Sequence, residues 1–262
     1  MELRTITLSL QGKSRTNNED SYYADAQLKL MLVADGMGGH QAGEVASSIA
    51  VEAVVKSLSQ VATEQFTQPA DTEETIILPK FSPEEAMRAA FYYANDQIYS
   101  YAQQRPELNH MGSTLTAAWV VGDDLYIGHV GDSRAYFFGN EVSQLTIDHS
   151  VAGELLREGG ITKAEAAEHP KKHMLTRALG VEHMVEVDVY HYVWPAQSVL
   201  LLCSDGLSDH LDLESILDQI DVTKDKTDIL AALVKMAEDA GSLDDITGVL
   251  AWHKALDEGG AV

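Results

Sequence analysis

Five aspartates stand at or beside the ends of apolar runs in this 262-residue chain, and four of their neighbourhoods also contain glycine. They are Asp20, Asp35, Asp132, Asp205 and Asp244. Hard cations such as Mg²⁺ and Mn²⁺ prefer oxygen ligands, and carboxylates at strand ends are rigid ligands that leave room for water. The pattern therefore predicts a hydrolytic site that contains two metal ions.

Two of these acids lie in glycine-containing segments that follow fully apolar runs. The segments are Asp35-Gly-Met-Gly-Gly-His40 and Ser204-Asp-Gly206. An Asp-Gly pair by itself is typical of a turn. Glycines directly after a buried strand indicate instead that the backbone approaches a ligand closely.

Arg15 precedes Glu19 and Asp20 by four and five residues, so a cation lies in the same short segment as two carboxylates. A local salt bridge would explain this arrangement. Alternatively, the guanidinium group would bind a phosphate oxyanion, which it matches in geometry and in paired hydrogen bonds. The residues alone leave both explanations open.

Three other kinds of catalytic site do not fit the sequence. A cysteine-dependent phosphatase would have arginine six residues after Cys203, where Asp209 stands. Gly12-Lys-Ser14 resembles the end of a phosphate-binding loop, but Thr7 occupies the position of the required earlier glycine. The zinc-protease pattern His-Glu-x-x-His does not occur.

The chain is strongly acidic, with 41 Asp and Glu against 18 Lys and Arg and a formal charge of -23. This surplus argues against nucleic acid and anionic membranes as partners, because their phosphates are bound by Lys and Arg. No run of about 18 apolar residues occurs, and the first residues lack the pattern of a secretory signal. The one cysteine, Cys203, suits a reducing compartment. We therefore expect a cytoplasmic protein, and a monomer because no extra interface is evident.

The elements that must position these residues do not alternate regularly between strand and helix. Strands are predicted at 5–10, 21–24, 28–34, 185–193, 199–203 and 247–252, with a meander at 114–121, 124–130, 134–138 and 141–145. Helices are predicted at 42–61, 83–101, 213–220 and 227–240, with two short helices near 150–170; capping boxes begin at Ser82 and Thr162. This order predicts an α+β layered sandwich.

The domain organisation follows from the lack of a linker rich in Pro, Gly or Ser. One domain is expected at 1–254. Residues 64–81 carry threonines, acids and two prolines without a clear period, which predicts an exposed insertion. Residues 255–262 are expected to form a tail.

Five segments, in this order, resemble the metal-dependent serine/threonine protein phosphatases of type 2C in their compact bacterial form. They are Arg15-Thr-Asn-Asn-Glu-Asp20, Asp35-Gly-Met-Gly-Gly-His40, Gly131-Asp-Ser-Arg134, Ser204-Asp-Gly-Leu-Ser-Asp209 and Gly241-Ser-Leu-Asp-Asp-Ile-Thr247. With weaker similarity between them, the resemblance covers about residues 4–252. It implies a four-layer αββα sandwich, in which two packed antiparallel β-sheets are flanked by helix pairs. It also implies hydrolysis of phosphoserine and phosphothreonine on proteins by a metal-bridging water.

The resemblance further implies roles for individual residues. Asp35 would bridge two Mn²⁺ or Mg²⁺ ions, and the Gly36 carbonyl would ligate one of them. Asp205 and Asp244 would complete the shell of the first ion. Asp20 would support the second ion, partly through waters ordered by Glu19, and Arg15 would bind the substrate phosphate. A third, weaker ion would lie at Asp132, Asp205 and Asp209, and residues 148–179 would form a mobile flap that affects substrate choice.

Two departures from the family pattern concern details of the site. The last motif usually reads Asp-Asn, whereas this chain has Asp244-Asp245, so Asp245 is expected to replace the amide. Met37 stands where some eukaryotic relatives have a histidine that serves as general acid. His40 is expected to support the glycine turn, although a role as the acid stays open, as does a metal-bound water.

Two alternatives to a protein phosphatase stay open on the sequence. One is a catalytically silent module of the same fold that binds partner proteins, although clustered unpaired carboxylates add nothing to stability. The other is a small-molecule phosphoesterase, because pocket shape and not the metal motif sets the substrate class. The partners expected for a protein phosphatase are phosphoproteins, including Ser/Thr kinases.

Overall fold

Two antiparallel β-sheets form the centre of the computed structural model, which describes residues 2–38, 42–66, 81–108 and 110–257. The first sheet contains, in spatial order, β1 (Leu3–Leu10), β11 (Ile246–His253), β10 (Val199–Cys203), β7 (Arg134–Phe138) and β8 (Ser143–Gln144). The second contains β2 (Asp20–Asp25), β3 (Leu30–Met37), β5 (Leu115–Val121), β6 (Asp124–Val130) and β9 (Asp188–Val193). A short strand, β4 (Gly112–Ser113), pairs with the end of β3.

Helices cover the outer faces of both sheets. Two long helices, α1 (Ala42–Phe66) and α2 (Pro83–Gln103), pack on the second sheet, and α7 (Lys226–Asp239) packs on the first. Short helices are α3 (Val151–Arg157), α4 (Lys163–Ala167), α5 (Asp205–Ser208) and α6 (Leu213–Leu217). The predicted α+β sandwich with four layers is confirmed, although one side has a single long helix with short ones instead of a long pair.

Strand alternation explains why the sheets pack face to face. In β3, Met31 and Val33 point into the layer between the sheets, whereas Leu30 and Leu32 pack under α1 and α2. Because successive side chains of a strand point to opposite faces, an apolar run without alternation supplies both layers at once. Asp35 follows Met31 and Val33 on the same side of the strand, which carries its carboxylate to the edge of the inter-sheet layer.

The predicted meander between residues 114 and 145 is wrong at its centre. Strands β5 and β6 pair in the second sheet, whereas β7 and β8 pair in the first. The turn 131–133 therefore carries the chain from one sheet to the other. The strand that follows the crossing can also be buried on both faces. Local periodicity therefore does not reveal which of the two sheets it joins.

Most other element predictions agree with the structure. Both capping boxes form, at Ser82 with Glu85 and at Thr162 with Glu165. The strand predicted at 185–193 begins only at Asp188, and that predicted at 141–145 is reduced to Ser143–Gln144. The sequence pattern did not indicate β4 or the one-turn helix α5.

The predicted insertion and tail lie partly outside the described residues. Helix α1 continues to Phe66, so the first residues of the range 64–81 are helical, and residues 67–80 are outside the description. Residues Lys254–Leu256 form a short 3₁₀ turn, whereas 258–262 are not described. The single domain at 1–254 stays a prediction, and the pairing of β1 with β11 supports it because it joins both ends of that range.

Helix α1 is long and apolar enough over Ala42–Thr63 to cross a membrane, by length and composition alone. Its small and apolar side chains Ala46, Ala50 and Val54 are nonetheless fully buried against the second sheet and α2. A core helix of a layered protein meets the same test, and this packing favours that interpretation.

Candidate metal centre

The carboxylates predicted from the sequence converge at one edge of the sandwich. The ladder between β2 and β3 places Asp20 directly opposite Asp35. Asp205 follows β10 as the first residue of α5, and its carboxylate lies close enough to that of Asp35 for the two to repel each other. Ser204 Oγ donates to Asp20 Oδ2 at 2.7 Å, which ties the two sheets together at this point. Asp132 lies in the turn that connects the sheets, beside Asp205.

The electrostatics of this cluster fit bound cations. Among the described residues, Asp20 Oδ1 and Asp205 Oδ1 are buried without a hydrogen-bond partner. Burial raises the pKa of Asp20 to about 7 and that of Asp205 to about 6, and repulsion from neighbouring carboxylates adds to both shifts. Burial and the same repulsion raise the pKa of Asp35 and of Asp132 well above its usual range. Divalent cations would satisfy the free oxygens and offset the charge.

The backbone around Asp35 is held on both sides. Asp35 N donates to Thr114 Oγ1 at 2.9 Å, and Thr114 N donates back to Asp35 O at 2.8 Å. Gly36 N donates to the Glu19 carbonyl at 3.1 Å. A Cβ on Gly36 would lie 2.0 Å from the carbonyl oxygen of Gly43, so only glycine lets the start of α1 pack against this strand. The close approach explains the glycines that the sequence pattern linked to a ligand.

Arg15 is paired with the acids of the site. Its Nε and Nη2 donate to the two carboxylate oxygens of Asp244, both at 2.8 Å, and Nη1 lies 3.2 Å from Glu19 Oε2. The side chain remains 37% exposed, whereas Glu19 is buried. The local salt bridge considered for the sequence therefore exists, and the guanidinium group stays partly exposed beside Asp244 and Glu19.

Asp245 performs a different task from Asp244 beside it. Its carboxylate is buried and accepts two backbone hydrogen bonds, from Gly12 N at 2.8 Å and from Glu19 N at 2.7 Å. Each bond uses a separate oxygen, so a carboxylate satisfies both donors where an amide would offer one acceptor. Asp245 thus joins the segment of Arg15 and Glu19 to the start of β11.

A second group of acids lies next to Asp205, towards the flap. Asp209 is 2.6 Å from His173 Nδ1 and 3.7 Å from Arg134 Nη2, and Arg134 makes two short hydrogen bonds to Asp148. Ligand atoms of His173, Asp205 and Asp209 all lie within 4.8 Å of one another, a spacing that could hold a cation. His173 was not identified from the sequence, because no motif surrounds it and its approach depends on the fold of the flap.

The base of the flap is fastened by Asp188 at the start of β9. Asp188 accepts hydrogen bonds from Arg157 at 2.8 Å and from Arg177 at 3.0 Å, and lies 3.2 Å from His149 Nε2. Although burial alone would raise it, the pKa of Asp188 is lowered by His149 and Arg157. His149 in turn brackets Gly131, whose N–H donates to Nδ1 at 3.2 Å and whose carbonyl accepts from His149 N at 2.7 Å. The flap is thereby linked to the turn that carries Asp132.

The structure brings together every predicted acid of the site, and it places the Gly36 backbone and Arg15 beside them. His40 lies outside the described residues, so its expected supporting role is untested. Asp188 escaped the sequence analysis because the strand was predicted at 185–193, which places this acid inside the strand and not beside its end.

Comparisons with known proteins agree on one family. The model of the family described as Protein phosphatase 2C matches residues 12–251. The serine/threonine phosphatase Stp of Listeria innocua is 37% identical over 256 residues, which cover 95% of each chain. The crystal structure of the Mycobacterium tuberculosis serine/threonine phosphatase PstP/Ppp has a TM-score of 0.79 at 35% identity, covering 97% of this chain and 100% of that one. The PstP catalytic domain in complex with two manganese ions has a TM-score of 0.77 at 34% identity, covering 95% and 97%.

Proposed function

The chain belongs to the protein phosphatase 2C family, and we propose that its clustered aspartates hold the cations with which it hydrolyses phosphoserine and phosphothreonine on proteins. The observation that carries this proposal is a group of converging carboxylates beside an exposed arginine, in which two buried oxygens have no partner among the residues that the structure describes. Such a group costs stability in the absence of a ligand. A binding site for divalent cations accounts for it.

The residues would have the individual roles that the family resemblance implies. Asp35 faces both Asp20 and Asp205 and would contact both ions, with the Gly36 carbonyl on one of them. Asp205 and Asp244 would complete one site, and Asp20 would support the other with Glu19 behind it. When bound, divalent cations lower the pKa of coordinated water and offset charge on phosphate oxygens.

Arg15 would bind and orient the phosphoryl group. In the structure its guanidinium group neutralises Asp244, which is also a proposed metal ligand. A cation at Asp244 would replace that neutralising charge and leave donors of Arg15 free for the substrate. The guanidinium group would then present paired N–H donors to two phosphate oxygens.

We infer a third, weaker cation at Asp132, Asp205 and Asp209. The proximity of His173 supports a site at this place, because its ring nitrogen lies within 4.8 Å of the ligand atoms of Asp205 and Asp209. The contact between His173 and Asp209 must open for a cation to enter. This requirement would make the third ion weaker than the two at Asp35.

The substrates would be phosphoproteins, and autophosphorylated Ser/Thr kinases are among those we propose. Either Mn²⁺ or Mg²⁺ suits the oxygen ligands. We propose that the chain acts as a monomer in the cytoplasm, where its one thiol, fully buried at Cys203, stays reduced.

The test is release of phosphate from a phosphothreonine peptide by the purified protein, with Mn²⁺, with Mg²⁺ and with chelator. We expect hydrolysis with either metal and none with chelator. Hydrolysis of p-nitrophenyl phosphate without any peptide hydrolysis would show that the protein is a small-molecule phosphoesterase and not a protein phosphatase. A folded sample that hydrolyses neither compound would identify a silent module.

A further inference from the structure

We propose that an apolar groove beside Met37 binds the substrate chain next to the phosphorylated residue and favours an apolar side chain there. The groove is formed by Met37, Leu175, Ala178, Val181, Met184 and Val185. This inference rests on the proposed function, since it adds a sequence preference to the same site.

The groove begins where the carboxylate cluster ends. Met37 follows Asp35 by two residues in β3, so both side chains project from the same face of the strand. Gly112 of β4 is paired with Met37. A Cβ on Gly112 would lie 2.8 Å from Met37 Cε and 2.9 Å from Val181 Cγ2. The absence of a side chain there lets Met37 and Val181 approach each other over the backbone, so apolar surface runs from Met37 to the rim of the groove.

Exposed apolar side chains lie together on the rim of the groove. It encloses about 290 Å³, and on its rim Val181 is 52% exposed and Met184 is 79% exposed. Apolar side chains gathered in a concave surface mark binding sites more often than scattered ones do. Methionine side chains are unbranched and adaptable, so such a groove can accept different apolar residues.

The occupant we infer is the polypeptide of the substrate. Its phosphoryl group must reach the carboxylates, so the chain on one side of the phosphorylated residue has to cross the edge of the site. An extended chain advances about 3.3 Å per residue. The groove, which adjoins Asp35 through Gly36 and Met37, would therefore receive a residue close to the phosphorylated one.

The charges at the rim add a second preference. Glu182 and Glu186 line the groove and are exposed. Arg177, the cation among the described lining residues, is paired with Asp188 and Glu154 and also lies 3.7 Å from Glu186. The rim is therefore negative overall and complements a substrate segment that carries Lys or Arg beyond its apolar residue.

The experiment uses two phosphothreonine peptides, one with leucine and one with serine at the flanking positions, together with p-nitrophenyl phosphate. The groove variant combines Val181→Thr and Met184→Gln, which keep side-chain size and charge while adding polarity. The matched control combines Val193→Thr and Met236→Gln, which alter another exposed valine and methionine outside the groove. All three proteins are assayed in Mn²⁺ at several substrate concentrations.

We expect the native protein to prefer the leucine peptide, and the groove variant to lose about tenfold in kcat/KM on that peptide. Hydrolysis of p-nitrophenyl phosphate should stay unchanged, as should all activities of the control. Equal kcat/KM on both peptides in the native protein, or an equal loss on p-nitrophenyl phosphate in the groove variant, would overturn the groove alone. A native protein that hydrolyses p-nitrophenyl phosphate but neither peptide would overturn the proposed function as well.

Discussion

At the scale of single residues, the site contains two kinds of acid. Some could bind a cation, and others accept hydrogen bonds from the backbone. Within the described part of the chain, Asp20 and Asp205 have buried oxygens without partners, whereas the adjacent acids Asp244 and Asp245 are both satisfied, one by Arg15 and one by backbone N–H groups. Neighbouring carboxylates thus differ in role because their surroundings differ. Predictions for Arg15 and Asp245 follow from their partners.

Replacing Arg15 with alanine should weaken the hold on phosphate. We expect KM for a phosphothreonine peptide to rise about tenfold and kcat to change less, because a charge-assisted pair of hydrogen bonds to the substrate is lost. Steady-state kinetics measures both constants. Arg4→Ala, at an exposed arginine of β1, is the control and should match the native protein. An unchanged KM in Arg15→Ala would remove the phosphate-binding role.

Replacing Asp245 with asparagine should lower the free energy of unfolding by about 1–2 kcal/mol, because one of the two backbone donors would face an amide N–H instead of an oxygen. Urea unfolding in chelator measures this change without a contribution from bound metal. Asp239→Asn, which alters an exposed pair with Lys235, should change stability little. Equal stability of both variants would show that the two backbone bonds are dispensable.

The sequence predicted which acids meet, because each stands at or beside one end of an apolar run. It did not predict the partners of Asp245, since Gly12 and Glu19 are more than 220 residues away in the chain. His173 was missed because its approach to Asp209 depends on the fold of the flap. Contacts of this kind depend on how the sheets pack and on the path of the flap, which local patterns do not contain.

At the scale of elements, the turn 131–133 and the flap determine the shape of the site. Alternation of apolar residues indicated β6 and β7 with the correct bounds, yet it could not show that they belong to different sheets. The crossing places Asp132 beside Asp205. The position of the flap depends on Asp188, which contacts three of its side chains, those of His149, Arg157 and Arg177.

Replacing Asp188 with asparagine should loosen the flap. The variant keeps a similar shape but removes the charge that holds Arg157 and Arg177, so cleavage by trypsin within residues 148–179 should become about tenfold faster. The control is Asp124→Asn, which removes the charge from an exposed aspartate paired with His191 on the neighbouring strand. Equal cleavage rates in both variants would contradict an anchoring role for Asp188.

At the scale of the whole molecule, the acidic cluster couples metal binding to folding. Asp20 and Asp205 have raised pKa values in the folded chain, so the folded state holds protons that the unfolded chain has released above about pH 4. Without metal, folding stability therefore falls as the pH rises from about 4 to 7. A bound cation favours the ionised carboxylates and removes this loss.

Unfolding in Mn²⁺ and in chelator at pH 5 and pH 7 measures this coupling. We expect the stabilisation by Mn²⁺ to be larger at pH 7 than at pH 5, with a difference on the order of 3 kcal/mol. Comparing the two conditions at each pH cancels the effect on stability of titratable groups away from the site, such as the buried His129. The same stabilisation at both pH values would contradict the assignment of these carboxylates to the metal.

The central claim is that cations held at Asp35 drive hydrolysis. The most direct test is a calorimetric titration of Asp35→Asn with Mn²⁺, with phosphate release measured on the same samples. Asp132→Asn is the companion variant, since it should keep the two tight ions of the native protein while turnover falls. For Asp35→Asn we predict loss of tight Mn²⁺ binding and of phosphothreonine hydrolysis together. Native Mn²⁺ affinity with native activity in Asp35→Asn would contradict the account.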